Sequence, residues 1–399
     1  MLSFTPTFLV TVLQEDDDKM YTLRQKLGFI RSIYGQFVGK NVTFVTRIPI
    51  LTFMKVVADD KIPYIKEALS RIADEVVYIP GGAFTNALIK DADALIIRTR
   101  THCNRSLLEG SRVRFIATAT IGYDHIDTKY CQEAGITWTN APGCNADSVA
   151  QYLQSSLFLL QRNGCIPRNA CIGIVGVGNV GSRVETVARD MGMKVLLHDP
   201  PREEQEGSSG FVSLNQIAEE CDLISFHTPL TPTGKYQTYH LADRAFFDSL
   251  RRKPIIINTS RGEVVSASAI LAALKSGKIS EAILDVWEGE PDVDPELLEL
   301  SFLGTPHIAG YSADGKANAT RMSLDVLCQY FDIRTHYTIQ PPEPEQPLIC
   351  APTWQEALLR IYNPQTDSHQ LKQHPRDFEY LRGHYPLRRE PKAYIIRIE

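Results

Sequence analysis

At 399 residues the chain is longer than one hydrophobic core normally supports, so two or three domains are expected. A formal net charge of −5 gives no electrostatic case for nucleic acid or an anionic membrane surface as partner. Hydrophobic residues at 43% and charged residues at 22% fit a soluble globular protein, and no apolar run reaches the roughly 18 residues that would span a bilayer.

The chain opens on Phe8-Leu-Val-Thr-Val-Leu13, which is apolar but short. It has no basic residue before it and runs into Glu15-Asp-Asp-Asp18, a poor match to a signal peptide. Residues 1–53 are therefore expected to be an extension outside the domain, which starts with the strand-like Met54-Lys-Val-Val-Ala-Asp-Asp60. Five β-rich runs then alternate with helix-like stretches: Lys55–Ala58, Glu75–Ile79, Ala94–Arg98, Arg114–Thr118 and Ile136–Thr139. Such alternation predicts parallel strands joined by crossover helices. A long helix is expected over Asp147–Gln161.

Next comes Ile172-Gly-Ile-Val-Gly-Val-Gly-Asn-Val-Gly181, an apolar strand breaking into Gly176-x-Gly178-x-x-Gly181. The first glycine suits a tight turn, the second close approach of backbone amides to a pyrophosphate, and the third tight packing of helix on strand. Anionic phosphates are favoured at the helix N-terminus that follows. A helix-compatible segment runs to Met191, and a second apolar run ends at Asp199, where a carboxylate can accept from the ribose hydroxyls and favour NAD over NADP. Further buried strands are expected over Leu223–Phe226, Ile255–Asn258 and Ala282–Val286, and a helix over Lys316–Tyr330. The helices on either side of the nucleotide unit are expected to return to the first domain. A proline-rich linker, Gln340–Pro347, leads to a tail that is amphipathic over Trp354–Ile361 and ends in an edge-strand-like Ala393-Tyr-Ile-Ile-Arg-Ile398. So small a segment buries little alone, so it is expected to complete an element that pairs with a second subunit.

The predicted fold is thus α/β: two doubly wound, Rossmann-like parallel-sheet lobes plus a small C-terminal α+β dimerisation element. Residues 54–150 with 304–335 would form a substrate-binding domain, 151–303 an NAD-binding domain, and 348–399 the dimerisation element. The eight cysteines form neither a C-x-x-C pair nor a cluster with histidine, so no metal site or disulfide framework is indicated and reduced thiols in the cytoplasm are expected.

Three residues in turns after strands carry the chemistry. Arg261 ends Ile255-Ile-Ile-Asn-Thr-Ser-Arg, Glu290 ends Asp285-Val-Trp-Glu-Gly-Glu, and His307 ends Gly304-Thr-Pro-His. The carboxyl ends of strands in open α/β sheets face the ligand crevice, so the three can converge there. Their types suit oxidation of a 2-hydroxy acid. A neutral imidazole accepts the hydroxyl proton as hydride leaves carbon, a carboxylate orients and stabilises it, and a guanidinium grips the substrate carboxylate.

These residues resemble the Arg/Glu/His triad of the D-isomer-specific 2-hydroxyacid dehydrogenases, and the similarity runs from Met54 to about Tyr330. Asn140–Asn145, His198–Arg202, Phe226–Leu230 and especially His307–Lys316 resemble the branch that oxidises 4-phospho-D-erythronate in pyridoxal phosphate (vitamin B6) biosynthesis. The resemblance implies that Arg261 and Glu290 are catalytic and that His307 is the proton donor and acceptor. It implies contacts to NAD from Asn179, Val180, Asp199, Thr228, Asp285 and Gly310, beside the turn glycines Gly176, Gly178 and Gly181. Thr99, Thr120 and Tyr311 would touch the substrate. A homodimer is also implied, through a shortened tail with matching stretches at Leu358–Tyr362 and Asp377–Arg382.

The residues themselves support these roles unequally. Thr228 follows a strand and can bring a polar group to the cofactor. Asp285 either accepts from the nicotinamide carboxamide or is a turn or capping aspartate. Arg98-Thr-Arg-Thr101 is either a plain basic loop or the place where Arg98 or Arg100 neutralises the 4-phosphate. Tyr311 can hydrogen-bond phosphate or hydroxyl, with Lys316 a weaker candidate. Two rival readings stand beside this one: a dehydrogenase of another 2-hydroxy acid such as 3-phosphoglycerate, and a non-enzymatic NAD-sensing protein.

Overall fold

Short, mostly aliphatic runs, the inner ones buried on both faces, build two parallel sheets in the computed structural model, which describes residues 53–399. The extension expected over residues 1–53 lies outside the described residues apart from Phe53. The first sheet comprises β1 (Lys55–Asp59), β2 (Glu75–Ile79), β3 (Ala94–Ile97), β4 (Phe115–Thr118) and β5 (Thr137–Thr139), in the order β2-β1-β3-β4-β5. The second comprises β6 (Cys171–Val175), β7 (Lys194–His198), β8 (Leu223–Phe226), β9 (Ile255–Asn258), β10 (Glu281–Leu284) and β11 (Leu303–Gly304), in the order β11-β10-β9-β8-β6-β7. All their pairings are parallel. Because β6 lies between β7 and β8, the chain leaves it in one direction and returns on the other side. That switch point opens a crevice at the carboxyl ends of the strands.

Alternate residues of each strand feed opposite layers. Val56, Ala58 and Ile96 meet Ala317, Leu324 and Leu327 of the helix Ala313–Tyr330 on one face of the first sheet. Val57, Leu95 and Ile97 meet Cys131 and Leu108 on the other. In the second sheet Ile224, Phe226 and Ile256 face one core, and Ile172, Ile174 and Ile257 the other.

The helix Ala313–Tyr330 therefore covers the first sheet. Its counterpart before the nucleotide unit, Ala146–Arg162, was expected to do the same and does not. Val149, Tyr152, Leu153 and Leu157 bury against Ile172, Ile174 and Val184 of the nucleotide lobe. Thirteen of its 17 residues are buried, Ser148, Gln151, Ser155 and Ser156 among them, so it is covered nearly all round and its pattern does not single out one sheet.

The tail forms a two-stranded parallel sheet of β12 (Leu348–Ala351) and β13 (Ile395–Ile398), with the helices Trp354–Ile361 and Pro364–Gln373 between them in sequence. It is not a free appendage. Leu371 and Phe378 enter a core of the second sheet, and Ser368 Oγ accepts from the Gly304 amide at 3.0 Å. Further on, Arg389 makes a two-pronged ion pair with Asp314, at 2.9 Å from Nε and 3.3 Å from Nη2.

Candidate active site

Every residue singled out in the second lobe lies in a turn after the carboxyl end of a strand or at the start of the helix that follows. After β6, Gly176 has φ 87, and a Cβ there would stand 2.8 Å from the His227 carbonyl carbon. A Cβ on Gly181 would come within 2.0 Å of the Gly176 carbonyl oxygen, so strand turn and helix touch only because both residues lack side chains. Gly178 faces open space at the start of the helix Asn179–Asp190. Asp199, after β7, accepts from the Val177 amide at 2.8 Å and caps the next helix through Arg202 N at 3.1 Å. Its carboxylate thereby steadies the glycine turn. Thr228, after β8, has a buried hydroxyl with no hydrogen-bond partner. An open, amide-lined cradle with an orphaned hydroxyl beside it fits a dinucleotide.

His307 adopts φ 56, a left-handed backbone that costs a non-glycine residue about 1–3 kcal/mol. Asp285 holds it there. This buried carboxylate accepts from the Thr305 hydroxyl at 2.7 Å and from the Ile308 and Ala309 amides at 2.8 and 2.9 Å. Burial pushes its carboxyl up, while the His307 charge and these donors work the other way. The Thr305 hydroxyl also lies 2.9 Å from Tyr152 Oη, tying the helix Ala146–Arg162 to the loop. One carboxylate oxygen, Oδ2, receives a single donor and keeps a lone-pair direction for another.

The imidazole meets its carboxylate directly: His307 Nδ1 lies 2.6 Å from Glu290 Oε1, both side chains about a quarter exposed. An ionised carboxylate only accepts, so Nδ1 carries the proton in this bond, and in the neutral ring that tautomer leaves Nε2 with its lone pair. Burial favours the neutral acid in Glu290, but the bond to His307 and the imidazole charge outweigh it, and its pKa falls below the ordinary value.

Arg261 makes no hydrogen bond to that pair among the described residues. Its turn is held by Asn258 Nδ2, which donates to the Arg261 carbonyl at 2.8 Å. One prong of the guanidinium donates to Ser260 O at 2.8 Å. The other faces the loop after β4, where a Cβ on Gly122 would come within 3.2 Å of Nη2. Arg261 thus reaches from the second sheet to a loop of the first. Thr120 stands in that loop, donating to Gly122 O at 2.9 Å, with Thr118 Oγ1 at 2.7 Å. Thr99 is exposed, just beyond β3. Gly310 lies against the side chain of Asn145. Tyr311 accepts at Oη from Arg382 Nε at 2.9 Å. Sequence reasoning did not single out Arg382 or Asn145. Each only closes a stretch on which the resemblance rests, Asp377–Arg382 and Asn140–Asn145.

Residues 154–309 match the family described as D-isomer specific 2-hydroxyacid dehydrogenase, NAD binding domain. The erythronate-4-phosphate dehydrogenase of Bacteroides thetaiotaomicron is 64% identical over 345 residues, spanning 86% of this chain and 99% of the relative. That of Porphyromonas gingivalis is 42% identical over 352 residues, with 86% and 95% covered. Among solved structures, NAD+-bound 3-phosphoglycerate dehydrogenase from Entamoeba histolytica aligns with a TM-score of 0.58 at 26% identity, over 70% of this chain and 96% of its own. The D-lactate dehydrogenase of Aquifex aeolicus, complexed with NAD and lactic acid, aligns with a TM-score of 0.55 at 25% identity, over 70% and 95%. The chain is an NAD-dependent oxidoreductase and belongs to the erythronate-4-phosphate dehydrogenases, within the D-isomer specific 2-hydroxyacid dehydrogenase family.

Proposed function

We propose that the protein oxidises the C2 hydroxyl of 4-phospho-D-erythronate to give (R)-3-hydroxy-2-oxo-4-phosphobutanoate, a step in pyridoxal 5'-phosphate biosynthesis. The observation that carries this reading is the 2.6 Å contact of His307 with Glu290, in a chain so similar to erythronate-4-phosphate dehydrogenases. NAD, when bound, supplies the hydride acceptor. In this reading His307 Nε2 takes the hydroxyl proton, and Glu290 holds the ring and stabilises the imidazolium that forms. Arg261 fixes the substrate carboxylate with its forked donors and polarises the C2 oxygen. Thr99, Thr120 and Tyr311 supply hydroxyls to the substrate. The cradle of Gly176, Gly178 and Gly181 with Asn179 and Val180 binds the cofactor, together with Asp199, Thr228, Asp285 and Gly310.

The same reading assigns residues 54–150 and 304–335 to a substrate-binding domain, 151–303 to an NAD-binding domain and 348–399 to a homodimer contact in the cytoplasm. Exposed apolar side chains on the small sheet and the helix after it support the dimer: Ile395 at 68%, Ile398 at 50%, Leu348 at 45% and Trp354 at 50%. The test is NADH formation with 4-phospho-D-erythronate, 3-phosphoglycerate and D-lactate in parallel. Turnover is expected with the first at a kcat/KM at least about a hundredfold above the others, within the range that unpaired site polar groups enforce. Preference for another acid would reassign the substrate, and tight NADH binding without turnover of any would point to a sensor.

A further inference from the structure

Two cationic side chains from separate segments gather around Tyr311, four residues beyond His307, and a third, Arg98, bears on the charge of one of them. Lys316, in the first turn of the helix Ala313–Tyr330, holds its ammonium 5.0 Å from the centre of the Tyr311 ring. Among the described residues that ammonium has no hydrogen bond or ion pair. Burial, then the charges of Arg98 and Arg388, push its pKa down. Arg382 comes from the tail, donating to Tyr311 Oη with its Cζ 5.7 Å from the same ring. Its one close acid is Glu379 at 3.6 Å, with Glu290 acting at longer range. Arg98, just past β3, donates to the Lys61 carbonyl at 3.3 Å and has no carboxylate partner among the described residues. Arg100, the other cation of that loop, is exposed.

Like charges brought together with so few acids repel, and partly buried cations without counter-charge are costly, unless an anion completes the set. We infer that Lys316, Arg98 and Arg382, with the Tyr311 hydroxyl, form the seat of the substrate's terminal phosphate, so that the C-terminal tail helps determine which hydroxy acid is accepted. This rests on the proposed function and adds the residues that read the phosphate. A dianion is matched by two forked guanidinium groups and one compact ammonium. Arg382 also feels the charge of Glu290, the carboxylate that holds the His307 ring, which sets the seat on the same side as the imidazole.

The experiment compares wild type, Lys316→Met, Lys316→Arg and Arg382→Gln on 4-phospho-D-erythronate and on unphosphorylated D-erythronate. NADH binding by fluorescence serves as the check of folding. The ratio of the two kcat/KM values is expected to fall about 100-fold in Lys316→Met and in Arg382→Gln. Lys316→Arg, which keeps the charge, should retain it within about tenfold. In wild type, inorganic phosphate should inhibit competitively against 4-phospho-D-erythronate and not against NAD. An unchanged ratio in both charge-removing variants that still bind NADH, or inhibition that is not competitive with the phosphorylated acid, would overturn the inference. Failure of the wild type itself to oxidise 4-phospho-D-erythronate would instead overturn the proposed function beneath it.

Discussion

His307 is held on both sides of its peptide unit, by the Asp285 network behind and Glu290 in front, so its ring is presented in one orientation and one tautomer. Replacing it by alanine should remove proton transfer and leave the glycine cradle intact. In single-turnover measurements His307→Ala is expected to slow hydride transfer by about 10²- to 10⁴-fold with NADH affinity unchanged. A near-normal rate would reject the assignment. Glu290 offers a test through pH. Its carboxyl is depressed in the folded protein, despite burial, by the bond and charge of His307. A depressed acid contributes stability that is complete above its unfolded pKa and is lost as pH falls through the folded one. The melting-temperature gap between wild type and Glu290→Gln should therefore be widest near neutrality and narrow below about pH 4. A gap constant from neutrality to pH 3.5 would contradict the ion pair.

At the scale of elements, the turn after β10 does two things at once. It ends the strand at Leu284, two residues before the apolar pattern does, and turns Asp285 inward to receive the loop after β11. Asp285→Ala would leave the Ile308 and Ala309 amides without partners in a buried setting and the Thr305 hydroxyl with Tyr152 alone. A loss of about 3 kcal/mol or more is expected in urea unfolding, with a lower kcat, because each orphaned donor costs about 1–3 kcal/mol. A change below about 1 kcal/mol would mean that water replaces the carboxylate. The sequence made such strands easy to read: Leu223–Phe226 and Ile255–Asn258 are uninterrupted apolar runs, as strands covered on both faces must be. The glycine turn was legible for a similar reason, since each glycine answers a local steric demand. Asp285 was not, because a carboxylate after a strand can cap a turn or meet a ligand, and only the neighbouring loop decides. The destination of the helix Ala146–Arg162 was hidden by its near-complete burial. For the candidate site, residue types and strand ends could be read in one dimension. The pairing of Glu290 with His307 and the reach of Arg261 toward Gly122 are properties of three.

In the molecule as a whole, the tail is bound into the junction of the two lobes. Arg388 O accepts from the Ala313 amide, Arg389 O from Gln151 Nε2 at 3.1 Å, and Ser312 Oγ donates to Glu390 Oε1 at 2.8 Å. Asp314 grips Arg389, their side chains only 5% and 8% exposed. Breaking a buried pair strands a charge, so Arg389→Ala is expected to cost about 3–5 kcal/mol in urea unfolding, with partial recovery on adding Asp314→Asn. No recovery in the double variant would mean that the two do not act as a pair. The tail's fastening of Gln151 to Arg389 spans 238 positions, and the bond from Thr320 of the helix Ala313–Tyr330 to Pro63 spans 257. Closing such long loops is entropically demanding, whereas each sheet is built from near neighbours. The corner next to His307, which these long closures pin, is thus expected to open before the two sheets do. Under mild denaturation turnover is therefore expected to be lost at a lower urea concentration than NADH binding, and coincident loss of the two would contradict this order.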